Sequence, residues 1–101
     1  MKVTAIEYPT PLERCDPLND NIDVLVTLEN GHTYCITVGT VEWLRMDIQK
    51  NGKKYQLPCA PSLIVAELRK DIIAEAVQDY ACGDAYWLRV LSLSVGDRLP
   101  E

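Results

Sequence analysis

From Asn21 to Val38 the chain alternates apolar and polar residues in two runs separated by Glu29, Asn30 and Gly31. Ile22, Val24, Val26 and Leu28 share one phase of the first run; His32, Tyr34, Ile36 and Val38 share one phase of the second. A period of two marks half-buried strands, so the pattern predicts a β-hairpin. Two turn lengths compete for it. A two-residue turn over Asn30 and Gly31 sets Val26 opposite Cys35 and sends the apolar rows to opposite faces. A three-residue turn with Gly31 left-handed sets Leu28 opposite His32, Val26 opposite Tyr34 and Val24 opposite Ile36, which gathers the apolar rows on one face. Burying one such side chain is worth about 1.5 to 3 kcal/mol, more than separates two common turn types, so the longer turn is the expectation. The other face then shows Asp23, Leu25, Thr27, Thr33, Cys35 and Thr37.

Around the hairpin the pattern changes period. Lys2 to Tyr8 alternates weakly and predicts a strand, in which Val3, Ala5 and Glu7 alternate with Thr4, Ile6 and Tyr8. Pro9, Pro11 and Pro17 make the following stretch a loop. Thr40 is placed to cap a helix from Val41 to about Gln49, with Val41, Leu44 and Ile48 as its buried stripe and Asn51-Gly52 as its stop. Residues 53–61 read mostly as loop because of Pro58 and Pro61, and Leu63 to Leu68 reads as a short buried strand. From Arg69 to Cys82, Ile72, Ile73, Ala76, Val77 and Tyr80 recur at helical spacing before Gly83. Residues 85–94 read as a last strand with both phases apolar, Trp87 in the core and Tyr86 on the opposite sheet face. The tail from about residue 95 is expected to fray. Together these predict one α+β domain over 1–101: a mixed or antiparallel sheet of about five strands with two helices on one face, in the order β-β-β-α-β-α-β.

Composition fits that picture: of 101 residues, 48% are hydrophobic and 25% charged, which is ordinary globular usage. The net charge of −5 speaks against direct nucleic-acid binding, which needs Lys and Arg on phosphates. That charge is uneven. Residues 1–30 carry −4, residues 31–70 carry +3 and residues 71–101 carry −4; acidic ends of this kind either solvate a surface, the commoner case, or steer a basic partner. Cys15, Cys35, Cys59 and Cys82 lack metal-ligand spacing. Met1-Lys2-Val3-Thr4 begins no signal-like run and no apolar run reaches membrane-spanning length, so a cytoplasmic chain with free thiols and no membrane association is expected.

Candidate chemistry is sparse. His32 is the one histidine, and its three-residue offset from Cys35 sends the two to opposite faces of a strand. Asp16, Asn19, Asp20, Asn21 and Asp23 offer oxygen ligands, but frames from Asp16 or Asp20 lack the glycine and glutamate of a calcium loop. An Asp- and Asn-rich turn before a strand explains them. The glycines are scattered singly and form no phosphate loop. Glu75 and Asp79 are an i,i+4 like-charge pair, as on a solvent face. No catalytic residue, metal ligand or cofactor is assigned. The remaining signal is interface-like: Asp79, Asp84 and Tyr86 gather beside Trp87.

DPLNDNIDVLVTLENGHTY, near the start, and LIVAELRKDIIAEAVQDYACGDAYWLRV, near the end, resemble a group of small uncharacterised bacterial α+β proteins across about half the chain. The resemblance implies a bacterial α+β module and assigns no catalytic residue. One departure is Arg69, where the group's pattern leads us to expect a helix-capping Thr. In size and acidity the chain is also similar to toxin-immunity proteins. The functional expectation is a noncatalytic, acidic protein-binding module, such as an immunity protein that occludes the basic site of a toxin. Asp16, Asp20, Asp23, Asp79 and Asp84 would be its charged contacts and Tyr86 its anchor. The alternative is a small-ligand or regulatory domain with a pocket between sheet and helices. Homodimerisation through an edge strand is a further expectation.

Overall fold

A computed structural model describes residues 1–57 and 61–94. The expectations that fall on Pro58, Cys59 and the frayed tail lie outside the described residues. Among the described residues, five strands and three helices follow one another as β1 Val3–Glu7, β2 Asn21–Leu28, β3 Thr33–Thr40, α1 Val41–Lys50, β4 Leu63–Val65, α2 Lys70–Tyr80, α3 Tyr86–Leu91 and β5 Leu93–Ser94. A 3-10 turn at Leu12–Arg14 interrupts the proline-rich loop. The class is α+β and the sheet is mixed. β1, β2 and β3 are antiparallel neighbours, while the far edge of β3 is shared by β4, parallel to it at Val38–Thr40, and β5, antiparallel at Tyr34 and Cys35.

The hairpin takes the three-residue turn. Val24 lies opposite Ile36 and Val26 opposite Tyr34, Leu28 N–H donates to the His32 carbonyl at 3.1 Å, and Gly31 has φ +87°. A residue with a Cβ resists that left-handed geometry, which is why glycine closes the turn. Ile22, Val24, Val26, Leu28, Tyr34, Ile36 and Val38 are all buried, so both apolar rows do face one core.

In β1 a bulge between Val3 and Ala5 shifts the phase. Val3 and Ile6, three apart, both pack on the core, and a strictly alternating strand does not allow that. The expected grouping of Val3 with Ala5 is therefore corrected to Val3 with Ile6.

Helix α1 begins where expected. Thr40 Oγ1 accepts the Trp43 N–H at 3.1 Å, and Glu42 and Lys50 lie in the first and last turns. Its stripe differs: Leu44 and Ile48 are half-buried but Val41 is 58% exposed, and α1 contributes no residue to the core. Helix α2 supplies Ile73 and Val77. Without a capping side chain, Arg69 still precedes its first turn, its carbonyl accepting the Ile73 N–H at 2.9 Å. The Arg69 guanidinium binds Asp71 instead.

The largest departure is the expected last strand. Residues Tyr86–Leu91 form helix α3, and only Leu93 and Ser94 pair with β3. Between Tyr86 and Val90 only Leu88 is buried while Tyr86, Trp87, Arg89 and Val90 are exposed, so the segment turns one residue per turn to the core and not every second residue. The helices on the hairpin's apolar face are thus α2 and α3, and the order ends α-α-β.

Candidate protein-docking surface

Helix α2 ends in a tight corner. Cys82 N–H donates to the Asp79 carbonyl and Ala85 N–H to the Cys82 carbonyl, both at 3.1 Å. Ala85 is left-handed at φ 58°, ψ 35°, and fully buried. For a residue with a Cβ that geometry costs about 1 to 2 kcal/mol, offset here by burial and by the Arg89 N–H that bonds the Ala85 carbonyl at 2.9 Å. The corner sets the direction of α3. Leu88 faces the core, while Tyr86 is 52%, Trp87 61% and Val90 54% exposed.

Trp87 is therefore not a core residue, and Tyr86 does not cover a sheet face. The two rings instead meet edge to face, with centroids 5.0 Å apart, an arrangement that holds aromatic pairs together and fixes their orientation. Sequence reasoning chose Tyr86 as an anchor and misassigned Trp87, because both strand phases looked apolar. The helix shows itself only in the packing, where Leu88 alone of Tyr86–Val90 is buried.

Acidic residues lead along α2 into this corner. Asp71, Glu75 and Asp79 follow at i, i+4 and i+8 along the exposed side of α2. Asp71 is bound by Arg69 and Asp84 by Arg89 at 3.5 Å, while Arg89 Nε also donates to the Asp84 carbonyl. Among the described residues no side chain bonds the carboxylates of Glu75 or Asp79. They stand as open negative charges one turn and two turns before the aromatic corner.

The other expected contacts lie elsewhere. The Asp16 carboxylate accepts the Leu18 N–H at 3.0 Å; the Asp20 carboxylate accepts the N–H groups of Asp16 at 3.2 Å and Asn21 at 2.8 Å. Asp23, on the outward face of β2, accepts from the Thr37 hydroxyl. Asp16 and Asp20 are thus partly occupied in shaping the turn. They sit at the β2 end marked by Asn21, whereas Met1 donates to the Ala81 and Gly83 carbonyls and Val3 lies opposite Leu28, so Asp79, Asp84 and Tyr86 belong to the other end. Seven strand steps, about 23 Å, separate these ends. The six residues form two groups, of which only Asp79, Asp84 and Tyr86 adjoin an exposed aromatic surface.

The pKa values of Tyr8 and Cys15 are raised, the Tyr8 hydroxyl by burial and the Cys15 thiol by burial, then Asp20 and Glu13. On α1, the hydrogen bond from Arg45 holds the Glu42 carboxyl below its usual range. Among the described residues no group of three or more His, Cys, Asp or Glu side chains gathers around a common point, and no helix is long and apolar enough to cross a membrane. Core side chains of β2 and β3 pack with Ile73 and Val77 of α2 and Leu88 of α3. Concavities lie at residues 52–57, about 590 Å³, and between β1 and α2, about 400 Å³. Comparison with protein-family models, curated proteins and solved structures finds no match.

Proposed function

We propose that this chain is a noncatalytic protein-binding module whose docking surface is the α2–α3 corner and whose partner is a basic protein. The observation that carries this reading is the exposed Tyr86–Trp87 pair, reached through a corner from the end of a helix whose outward residues include Glu75 and Asp79, carboxylates that no side chain among the described residues bonds. Exposed aromatic residues are the usual anchors of protein interfaces, and unneutralised charge next to them speeds association with a partner of opposite sign. Arginine side chains suit this site twice over, because a guanidinium binds a carboxylate and also stacks on an aromatic ring. An immunity protein covering the basic groove of a toxin is the biological setting that fits such a surface.

The test is affinity capture from the native cell at low ionic strength, run in parallel with Tyr86→Ala/Trp87→Ala and Glu75→Lys/Asp79→Lys variants. A basic protein retained by the wild type, lost with either double variant and released as salt rises is the expected result. Retention of the same proteins by all three overturns the reading.

A further inference from the structure

The outer edge of β1 pairs with no strand among the described residues. Leu28 N–H bonds the His32 carbonyl, so even-numbered residues of β2 bond β3. Glu29 N–H bonds the Lys2 carbonyl, so the odd-numbered residues bond β1. Ala5 and Glu7, opposite Thr27 and Leu25, face β2; Ile6, opposite Val26, turns its N–H and C=O to the outer edge. Among the described residues nothing bonds either group.

Val3 faces the same edge, and there a side chain stands in for a strand. Gln78 Oε1 accepts the Val3 N–H at 3.1 Å, and Gln78 Nε2 donates to the Met1 carbonyl at 2.9 Å. An antiparallel neighbour would satisfy the same two groups from two of its residues, with one backbone carbonyl on the Val3 N–H and one backbone N–H on the Met1 carbonyl. Beside the edge runs the groove of about 400 Å³, walled by Val3, Ile6 and Tyr8 on one side and Ala74 and Gln78 on the other. Gln78 and Ala74 are exposed, so the carboxamide is free to swing out into water.

We propose that a second copy of this chain docks its own β1 antiparallel on this edge, with Val3 opposite Ile6 of the second copy and Lys2 opposite its Glu7. The strand is complementary to itself in this register. Lys2 and Glu7 carry opposite charges at its two ends, and the alternation about the inward Val3 and Ile6 puts both on the outward face. A two-fold axis between Thr4 and Ala5 forms both the Lys2–Glu7 and the Val3–Ile6 pairs twice. It also sets bulge against bulge, so the extra residue in one strand is matched in the other. Two charges lie next to this strand: the Glu29 carboxylate accepts the Lys2 backbone N–H at 3.0 Å, and the Lys70 ammonium lies 5.6 Å from the Tyr8 ring centre. Neither neutralises Glu7.

Sedimentation and light scattering of the full chain from about 10 μM to about 1 mM test this. Reversible dimerisation is expected. Glu7→Lys and Lys2→Glu should each weaken it by about fivefold or more, and the two together should restore it. Gln78→Ala should strengthen it severalfold, because it removes the internal competitor for Val3. If Gln78 only braces the fold, the same change lowers thermal stability without increasing association. Melting curves of every variant establish that it folds. A monomer throughout the range, for both wild type and Gln78→Ala, overturns the proposal. So does a dimer that the double charge reversal fails to restore, since another surface then forms it. Tyr86→Ala/Trp87→Ala leaves this dimer unchanged, which keeps the result separate from that of the α2–α3 corner.

Discussion

At Gly39 the absence of a side chain is used by a neighbour rather than by the backbone. A Cβ there would stand 2.9 Å from Cγ and 3.3 Å from Cβ of Pro61, whose buried ring has no rotamer to escape into. Gly39→Ala is therefore expected to cost about 1 to 3 kcal/mol, read as a lower urea midpoint with an unchanged slope. An unchanged midpoint would mean that Pro61 yields freely. The cysteines differ in a similarly local way. Cys15 is half-buried, its Sγ donates to the Pro11 carbonyl, and burial with Asp20 and Glu13 nearby raises its pKa, whereas Cys82 is exposed at the end of α2. The thiolate is the reactive form. Iodoacetamide near pH 8 should therefore modify Cys82 before Cys15, as peptide mapping by mass would show, and the reverse order would contradict this packing of Cys15.

Between elements, Thr40 joins three pieces with one hydroxyl. Its Oγ1 accepts the Trp43 N–H at the start of α1 and the Asp20 N–H at 3.3 Å, and its backbone N–H bonds the Asp20 carbonyl at 3.1 Å. Thr40→Val keeps the β-branched shape and removes both acceptor contacts at a fully buried position. The expected loss is about 1 to 3 kcal/mol, with faster hydrogen exchange at the Trp43 and Asp20 amides and recovery in Thr40→Ser. This cap was legible in the sequence because capping is local chemistry. The hairpin was legible for a different reason: only one turn length puts Val24, Val26, Tyr34 and Ile36 on one side. The bulge in β1 left no such mark, since Val3 and Ile6 reveal their common face only against β2. Residues 85–94 misled because tyrosine, tryptophan, leucine and valine suit a strand, and tertiary packing of Ala85 and Leu88 overrode that preference. The aromatic site was hidden with it, apart from Tyr86 and its acidic neighbours.

Across the whole molecule, charge and apolar exposure are arranged differently at the two kinds of surface. Over residues 41–57, Arg45, Lys50, Lys53 and Lys54 outnumber Glu42 and Asp47, yet both acids are bound locally, by Arg45 and Lys53. Such exposed pairs contribute little to stability. On α2, by contrast, no side chain among the described residues bonds Glu75 or Asp79, and the helix they lie on leads into the exposed Tyr86–Trp87 pair, the anchor proposed above. A scaffold role and a docking role for the neighbouring residues Trp87 and Leu88 can then be separated. Leu88→Ala empties a fully buried position between α3 and the sheet and should cost about 2 to 5 kcal/mol. Trp87→Ala removes a larger but mostly exposed side chain and should change stability by about 0.5 kcal/mol or less. Chemical denaturation measures both. If Trp87→Ala destabilises the fold as much as Leu88→Ala, the ring is structural and loses its standing as an anchor; if it leaves the fold intact, the chain retains an exposed tryptophan that folding alone does not require.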